Sequence, residues 1–277
     1  MGFPKLQVAS WKETRTTVQQ YTKVISAVRR ALTPNTKHGW RLSLFVTARG
    51  FSTPPLLHKD KTVDFEFDFF NHELHIRTNV GEEDVISLDG QSVKEFQDEL
   101  IEILQVFGID PEITFSEELA DDSPLTYDDV AVENFWQALS RINAYFEHFK
   151  AGLREETSQV QFWPHGFDLS LMWLSGRQIP GGDPADAEKS DEQMTFGFSS
   201  GDHIIPEPYF YATAYPQPSD LPEMSLPPGA FWQKDGFNGA VLLYATFIDA
   251  DDPKSTLIDF LTRVQREGSA QMADAAQ

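Results

Sequence analysis

Cysteine is missing from all 277 positions of the chain. That removes disulfide staples, thiolate metal sites and cysteine nucleophiles together. Basic residues are scarce: 22 Lys and Arg stand against 43 Asp and Glu, a formal net charge of −21. A field of that sign repels phosphates and anionic headgroups, so neither nucleic acid nor a membrane surface is expected as a partner. No apolar run approaches the ~18 residues that mark a membrane span, and the opening MGFPKLQVASWKETR lacks the basic and apolar regions of a secretory signal. A cytoplasmic protein is the expectation. No Walker loop, G-x-G-x-x-G fingerprint or G-x-S-x-G elbow occurs, and FGFSSGD at 196–202 is too short for a phosphate cradle. Nothing in these patterns calls for a cofactor.

What is present is a large apolar store, 40% of residues with 13% aromatic, enough for one large domain or two moderate ones. Apolar residues at Trp11, Val18, Tyr21, Ile25, Val28 and Leu32 share a helical face. VDFEFDFF at 63–70 alternates as a half-buried strand, and ELHIRT at 73–78 returns as its hairpin partner. Ser92 and Glu95 form a capping box for a second helix closed by Gly108. A third helix is predicted over 130–153, and strands over 167–177, 194–198, 209–216 and 239–247. A fourth helix starts at Asp252 with Pro253 in its first turn and ends at Gly268. The acidic stretch SEELADDSPLTYDD at 116–129 is the best boundary. Expected, then, are an N-terminal α+β half over 1–120, a C-terminal α+β half over 121–268 packed on the first, and a frayed tail over 269–277.

The halves also look alike. WRLSLFVTARG at 40–50 and FDLSLMWLSGR at 167–177 both pass from an aromatic through Leu-Ser-Leu to an arginine, and Val18, Tyr21, Ile25 and Val28 align at one offset with Leu139, Ile142, Phe146 and Phe149. Any two amphipathic helices align at some register, so the shared element order and the Leu-Ser-Leu segment carry the weight. A duplication would give an α+β body of two similar halves, each an antiparallel sheet with flanking helices, related by a pseudo-twofold. A ligand pocket would then fall between them. Arg49 and Arg177 do not sit at the same strand parity, so their equivalence requires a bulge.

Four residues near one strand could carry chemistry: Trp163, His165, Asp168 and Arg177. His165 with Asp168, or with Glu192, could transfer protons while Arg177 holds an anionic group. A proline-bounded turn with a structural ion pair explains the same residues. Asp64, Glu66 and Asp68 could gather a hard cation, but alternate acids on a strand ordinarily form its wet face. His72-Glu-Leu-His75 has the wrong spacing and setting for a zinc helix, so no metal site is assigned. Tyr209, Phe210, Tyr211 and Tyr215 with Trp232 could line a pocket or fill a core.

LFVTARGFST, FDLSLMWLSGR and FYATAYPQP together resemble an uncharacterised bacterial family known as a domain of unknown function, over most of the chain. The resemblance marks Arg49, Asp168, Arg177, Glu192, Phe198 and Tyr215, and implies a bacterial cytoplasmic protein without assigning an activity. Ser199, Ser200 and Gly201 depart from the family's tryptophan-proline-glycine run. The leading expectation is a ligand-binding or interaction protein whose small-molecule pocket uses Arg49, Trp163, Arg177, Tyr211 and Tyr215. A hydrolase or isomerase using His165 with Asp168 or Glu192 is the alternative, and an acidic-surface partner for a basic protein is a third.

Overall fold

A computed structural model describes residues 2–6, 8–183, 185–219, 221 and 224–275. It is α+β, with two antiparallel sheets of six strands each and their helices. The chain divides into two compact units. An N-terminal unit comprises Ala9–Ser140 and Phe162–Phe167, and a C-terminal unit comprises Met1–Val8, Arg141–Gln161 and Asp168–Gln277. The boundary expected at 120/121 falls inside the first of these runs, because the acidic stretch is tied down within its own unit. Leu119 is buried, the amide of Leu125 donates to the Gly90 carbonyl, and the Thr17 hydroxyl donates to the Thr126 carbonyl.

The N-terminal unit opens with helix α1 (Val8–Leu32), whose buried face is Trp11, Val18, Tyr21, Ile25 and Val28. Its strands are β1 (Phe45–Val46), β2 (Gly50–Ser52), β3 (Leu56–His58), β4 (Lys61–Asp68), β5 (Glu73–Thr78) and β6 (Glu83–Ser87). They run in the order β1-β2-β4-β5-β6, with β3 also on β4. Alternation puts Phe65, Phe67, Leu74 and Ile76 inside, each side chain contributing ~2 kcal/mol of burial. Helix α2 (Val93–Val106) begins at the capping box of Ser92 and Glu95, and Phe96 stacks on Tyr21 with ring centroids 4.5 Å apart.

The first Leu-Ser-Leu segment differs from its expected partner. Lys37–Leu42 form a 3-10 turn with His38 and Gly39 at φ 52° and 64°, and Ser43 folds its hydroxyl back onto the Trp40 carbonyl. That turn takes up Leu42, and extended backbone resumes at Ser43, so Leu44 bridges Phe162 and β1 begins only at Phe45. The second segment does lie within a long strand. What recurs in the two halves is the order of helix, six strands and helix.

Helix α3 (Asp129–Lys150) leads into the second half, followed by β7 (Gln161–Trp163), β8 (Asp168–Gln178), a short helix α4 (Ala187–Ser190), β9 (Asp191–Ser199), β10 (Tyr209–Tyr215), β11 (Ala230–Gln233) and β12 (Gly239–Leu243). The sheet order is β11-β12-β10-β9-β8-β7. In the C-terminal unit Phe149 meets Phe196 and Phe146 meets Phe210, which seats the last turns of α3 on β9 and β10. The predicted strand over 239–247 breaks after Leu243 into helix α5 (Tyr244–Ile248). Tyr244, Phe247 and Ile248 carry the 3-4 spacing of a helix within that apolar run.

Helix α6 (Pro253–Ala275) passes through Gly268, and the tail expected to fray is helical to Ala275, its last two residues lying outside the described ones. Gly268 is a packing glycine: a Cβ there would lie 2.5 Å from the Met194 methyl. Met272 is buried one turn later and extends the apolar face. No helix among the described residues is long and apolar enough to cross a membrane.

Candidate functional site

In the N-terminal unit, Arg49 sits in the turn between β1 and β2 and grips Asp68 in a two-pronged pair, Nε to Oδ2 at 2.5 Å and Nη2 to Oδ1 at 3.0 Å. Asp68 was expected on a wet strand face, yet it is buried and also accepts from the backbone amides of Phe70 and Asn71. Burial pushes its carboxyl up, but the Arg49 bonds and the two amides prevail and hold it below the usual range. The fork that was to hold a ligand therefore closes the β4–β5 hairpin. Among the described residues, no group of three or more His, Asp or Glu is placed to hold a metal ion.

His165 is exposed in the turn before β8, and its carbonyl accepts a 2.8 Å bond from the Gln19 side chain. Partial burial, then the charges of Lys23 and Arg30, hold its imidazole below 6.5 against the pull of Glu118. Trp163 ends β7, half-buried. Phe167 takes a left-handed backbone, φ 52°, locked by stacking on Phe135 at 5.4 Å and by Phe162 at 5.0 Å.

In the C-terminal unit, Asp168 opens β8 and accepts a 2.5 Å hydrogen bond from Tyr211. Burial, then the neighbouring Asp168 charge, pushes the Tyr211 phenol well above its ordinary value. Its ring lies over Gly197, the residue opposite it on β9, where a Cβ would come within 2.3 Å of the ring. Two residues away on the same strand face, Tyr209 donates to Asp202 at 2.6 Å. Asp202 also caps the amides of Ile204 and Ile205. This tyrosine and aspartate layer links β8 and β10 to the loop that follows β9.

Arg177 and Glu192 form a second pair, an exposed arginine on a buried carboxylate. Glu192 is inside, on β9, and Arg177 reaches it because β8 bulges between Leu174 and Gln178, with Gly176 at φ 79°. The pair lies far from Asp168. Nine residues of strand separate Asp168 from Arg177, roughly 30 Å at strand rise. Tyr215, at the exposed end of β10, pairs across to Gln193 and so belongs to the Arg177 end of the sheet. The single cluster expected along β8 is therefore two separate arrangements at opposite ends of one strand. Trp232 lies on β11 and donates to the Met224 carbonyl.

A cleft that the sequence patterns did not mark lies at one end of this unit. It encloses about 350 Å³ between residues 5–6, the 206–208 loop and α5. Leu6, Pro206, Pro208 and Ile248 supply its apolar walls, and Lys5, Glu207 and Asp249 its charged groups. Tyr244 lines the cleft and donates to the Pro4 carbonyl at 2.8 Å. The wall at residues 5–6 is anchored by Phe3, whose ring meets Phe247 at 4.8 Å and lies under the Arg141 guanidinium at 3.7 Å.

Residues 3–275 match the family model described as Family of unknown function (DUF5996). The chain belongs to this family. The match agrees with the resemblance drawn from its motifs, and the DUF5996 model covers both sheet units without attaching an activity to either. No curated protein and no solved structure matches the chain.

Proposed function

We propose that this DUF5996 protein is a ligand-binding protein without chemistry of its own, and that its site is the cleft beside α5. The carrying observation is the cleft itself: apolar walls, a volume suited to a small molecule, and one ammonium with two carboxylates to orient it. Its ligand is a small, largely apolar molecule bearing one ionisable group. The residues first considered for a site favour this reading by their other commitments. Arg49 is held by Asp68, Arg177 by Glu192, and Asp168 by Tyr211. An acid/base enzyme using His165 with Asp168 or Glu192 gains little support, since Asp168 accepts from Tyr211 and Glu192 pairs with Arg177.

The test is a fragment screen by ligand-observed NMR on the wild-type chain, repeated on Ile248→Trp and Ala245→Phe, which fill the cleft. Fragments that bind the wild type and are lost in both filled variants, with unfolding midpoints unchanged, support the proposal. Fragments that bind all three chains alike overturn it.

A further inference from the structure

Arg29, in the last turn of α1, is 5% exposed, and no carboxylate pairs with it among the described residues. Its one hydrogen bond is a long one, Nη1 to the Ser43 hydroxyl at 3.3 Å, and its guanidinium lies 5.3 Å from the Phe45 ring centroid. Its Nε is buried with no partner. An arginine cannot shed its proton to escape burial, so an isolated buried guanidinium is costly unless an anion compensates it. The C-terminal end of α1 offers at most about half a negative charge. Burial draws the arginine down to about 10, a sign of the same missing counter-charge.

Two donors of the following segment also lack a partner: the Trp40 indole Nε1 and the Thr33 hydroxyl are buried without one. Ser43 ties Arg29 to Trp40, because its hydroxyl receives from the arginine and donates to the Trp40 carbonyl. Thr33 follows the end of α1, four residues after Arg29, and its carbonyl accepts from Arg41 at 3.1 Å.

The sequence carries a second, independent sign. In a chain with 43 acidic residues, none occurs between Glu13 and Asp60, while eight Lys and Arg do, five of them from Lys23 to Arg41. The imidazole of His165, held down in part by Lys23 and Arg30, senses that positive potential. A strongly acidic protein thus keeps one acid-free segment and buries an uncompensated arginine inside it.

We propose that Arg29 is the centre of an anion site, taking a carboxylate or phosphate oxygen of a small molecule on its Nε edge, with the Trp40 N–H and Thr33 hydroxyl as the adjoining donors. The side-on edge of a guanidinium is the geometry that oxyanions match best. The site lies in the N-terminal unit and is independent of the cleft beside α5.

The full chain is titrated with sodium phosphate and, separately, with sodium acetate at constant ionic strength, following the Arg29 Nε–H resonance and the unfolding midpoint. A saturable response is expected. Preference for phosphate assigns the natural ligand a phosphate group, and preference for acetate assigns it a carboxylate. Arg29→Met should weaken the response at least tenfold while unfolding in chloride no earlier than the wild type, because the buried charge has gone. A wild-type response to both anions no different from that to chloride overturns the proposal, as does a saturable response retained by Arg29→Met. If that variant does not fold, Trp40→Phe decides: several-fold weaker binding supports the site, and unchanged affinity overturns it.

Discussion

Gly197→Ala is the sharpest probe of the tyrosine and aspartate layer. A Cβ at this position would stand 2.3 Å from Tyr211 Cζ and 2.4 Å from its hydroxyl oxygen, so the ring must leave its place. Overpacking of this kind costs ~1–3 kcal/mol. Displacing the ring also breaks the 2.5 Å bond to Asp168, and a hydrogen bond to a charged group contributes ~1.5–3 kcal/mol. Against these stands a gain of ~0.5–1 kcal/mol for replacing glycine by alanine in a strand. The net expectation is a loss of about 1.5–5.5 kcal/mol, from the same three contributions. Urea unfolding followed by tryptophan fluorescence would measure it, in the wild-type background and again with Tyr211→Ala. Without the ring there is nothing to collide with, so in the second background the alanine should be neutral or stabilise slightly. Equal losses in both backgrounds, within the ~0.5 kcal/mol expected of independent sites, would refute the argument that Gly197 exists to seat Tyr211.

Asp68→Ala should destabilise by about 3 kcal/mol, because it leaves the Phe70 and Asn71 amides without their acceptor, and denaturant melts would show it. Since Asp68 is held below its ordinary value, its share of stability is present above the unfolded carboxyl's ~3.9 and is lost as pH falls through the folded one. Asp68→Asn should accordingly flatten the acid limb of the stability curve, and an unaltered limb would contradict the assignment. Arg177→Ala strands a buried Glu192 and should cost about 2 kcal/mol, whereas Arg177→Ala with Glu192→Leu should recover most of it in the same melts. The His165 imidazole should titrate below 6.5 by NMR, moving up in Lys23→Met and further down in Glu118→Gln; no movement in either would show that these charges do not reach it.

The elements legible in the sequence are those specified by local rules. Strict alternation from Val63 to Asp68 gave a strand, Ser92 and Glu95 gave a capped helix, and the 3-4 spacing from Trp11 to Val28 gave α1 with the face it buries. Elements decided by non-local contact were misread. Trp40 to Leu42 has the composition of a strand's start but lies in a 3-10 turn with left-handed backbone at His38 and Gly39, and strand pairing starts at the Leu44 bridge to Phe162. Gly268 has the look of a helix stop but serves the close approach of Met194. The site residues divide in the same way. Arg177 is marked by its place at the end of a strand and Glu192 by the family resemblance, but that they pair with each other depends on a bulge in β8.

Composition and periodicity by themselves determined an α+β protein with two sheet-bearing halves, helices of known face, and an acid-free segment within an acidic chain. Those properties follow from side-chain period and charge along the backbone, which need no knowledge of what lies opposite. Tertiary structure alone decided that Asp68 is buried beneath Arg49, that Tyr211 rests on Gly197, that α5 breaks away from β12 to line a cleft, and that Arg29 is enclosed without a counter-charge. Each depends on residues distant in sequence being brought within a few ångströms, where burial turns a charge or a hydroxyl from a solvated group into one that must find a partner.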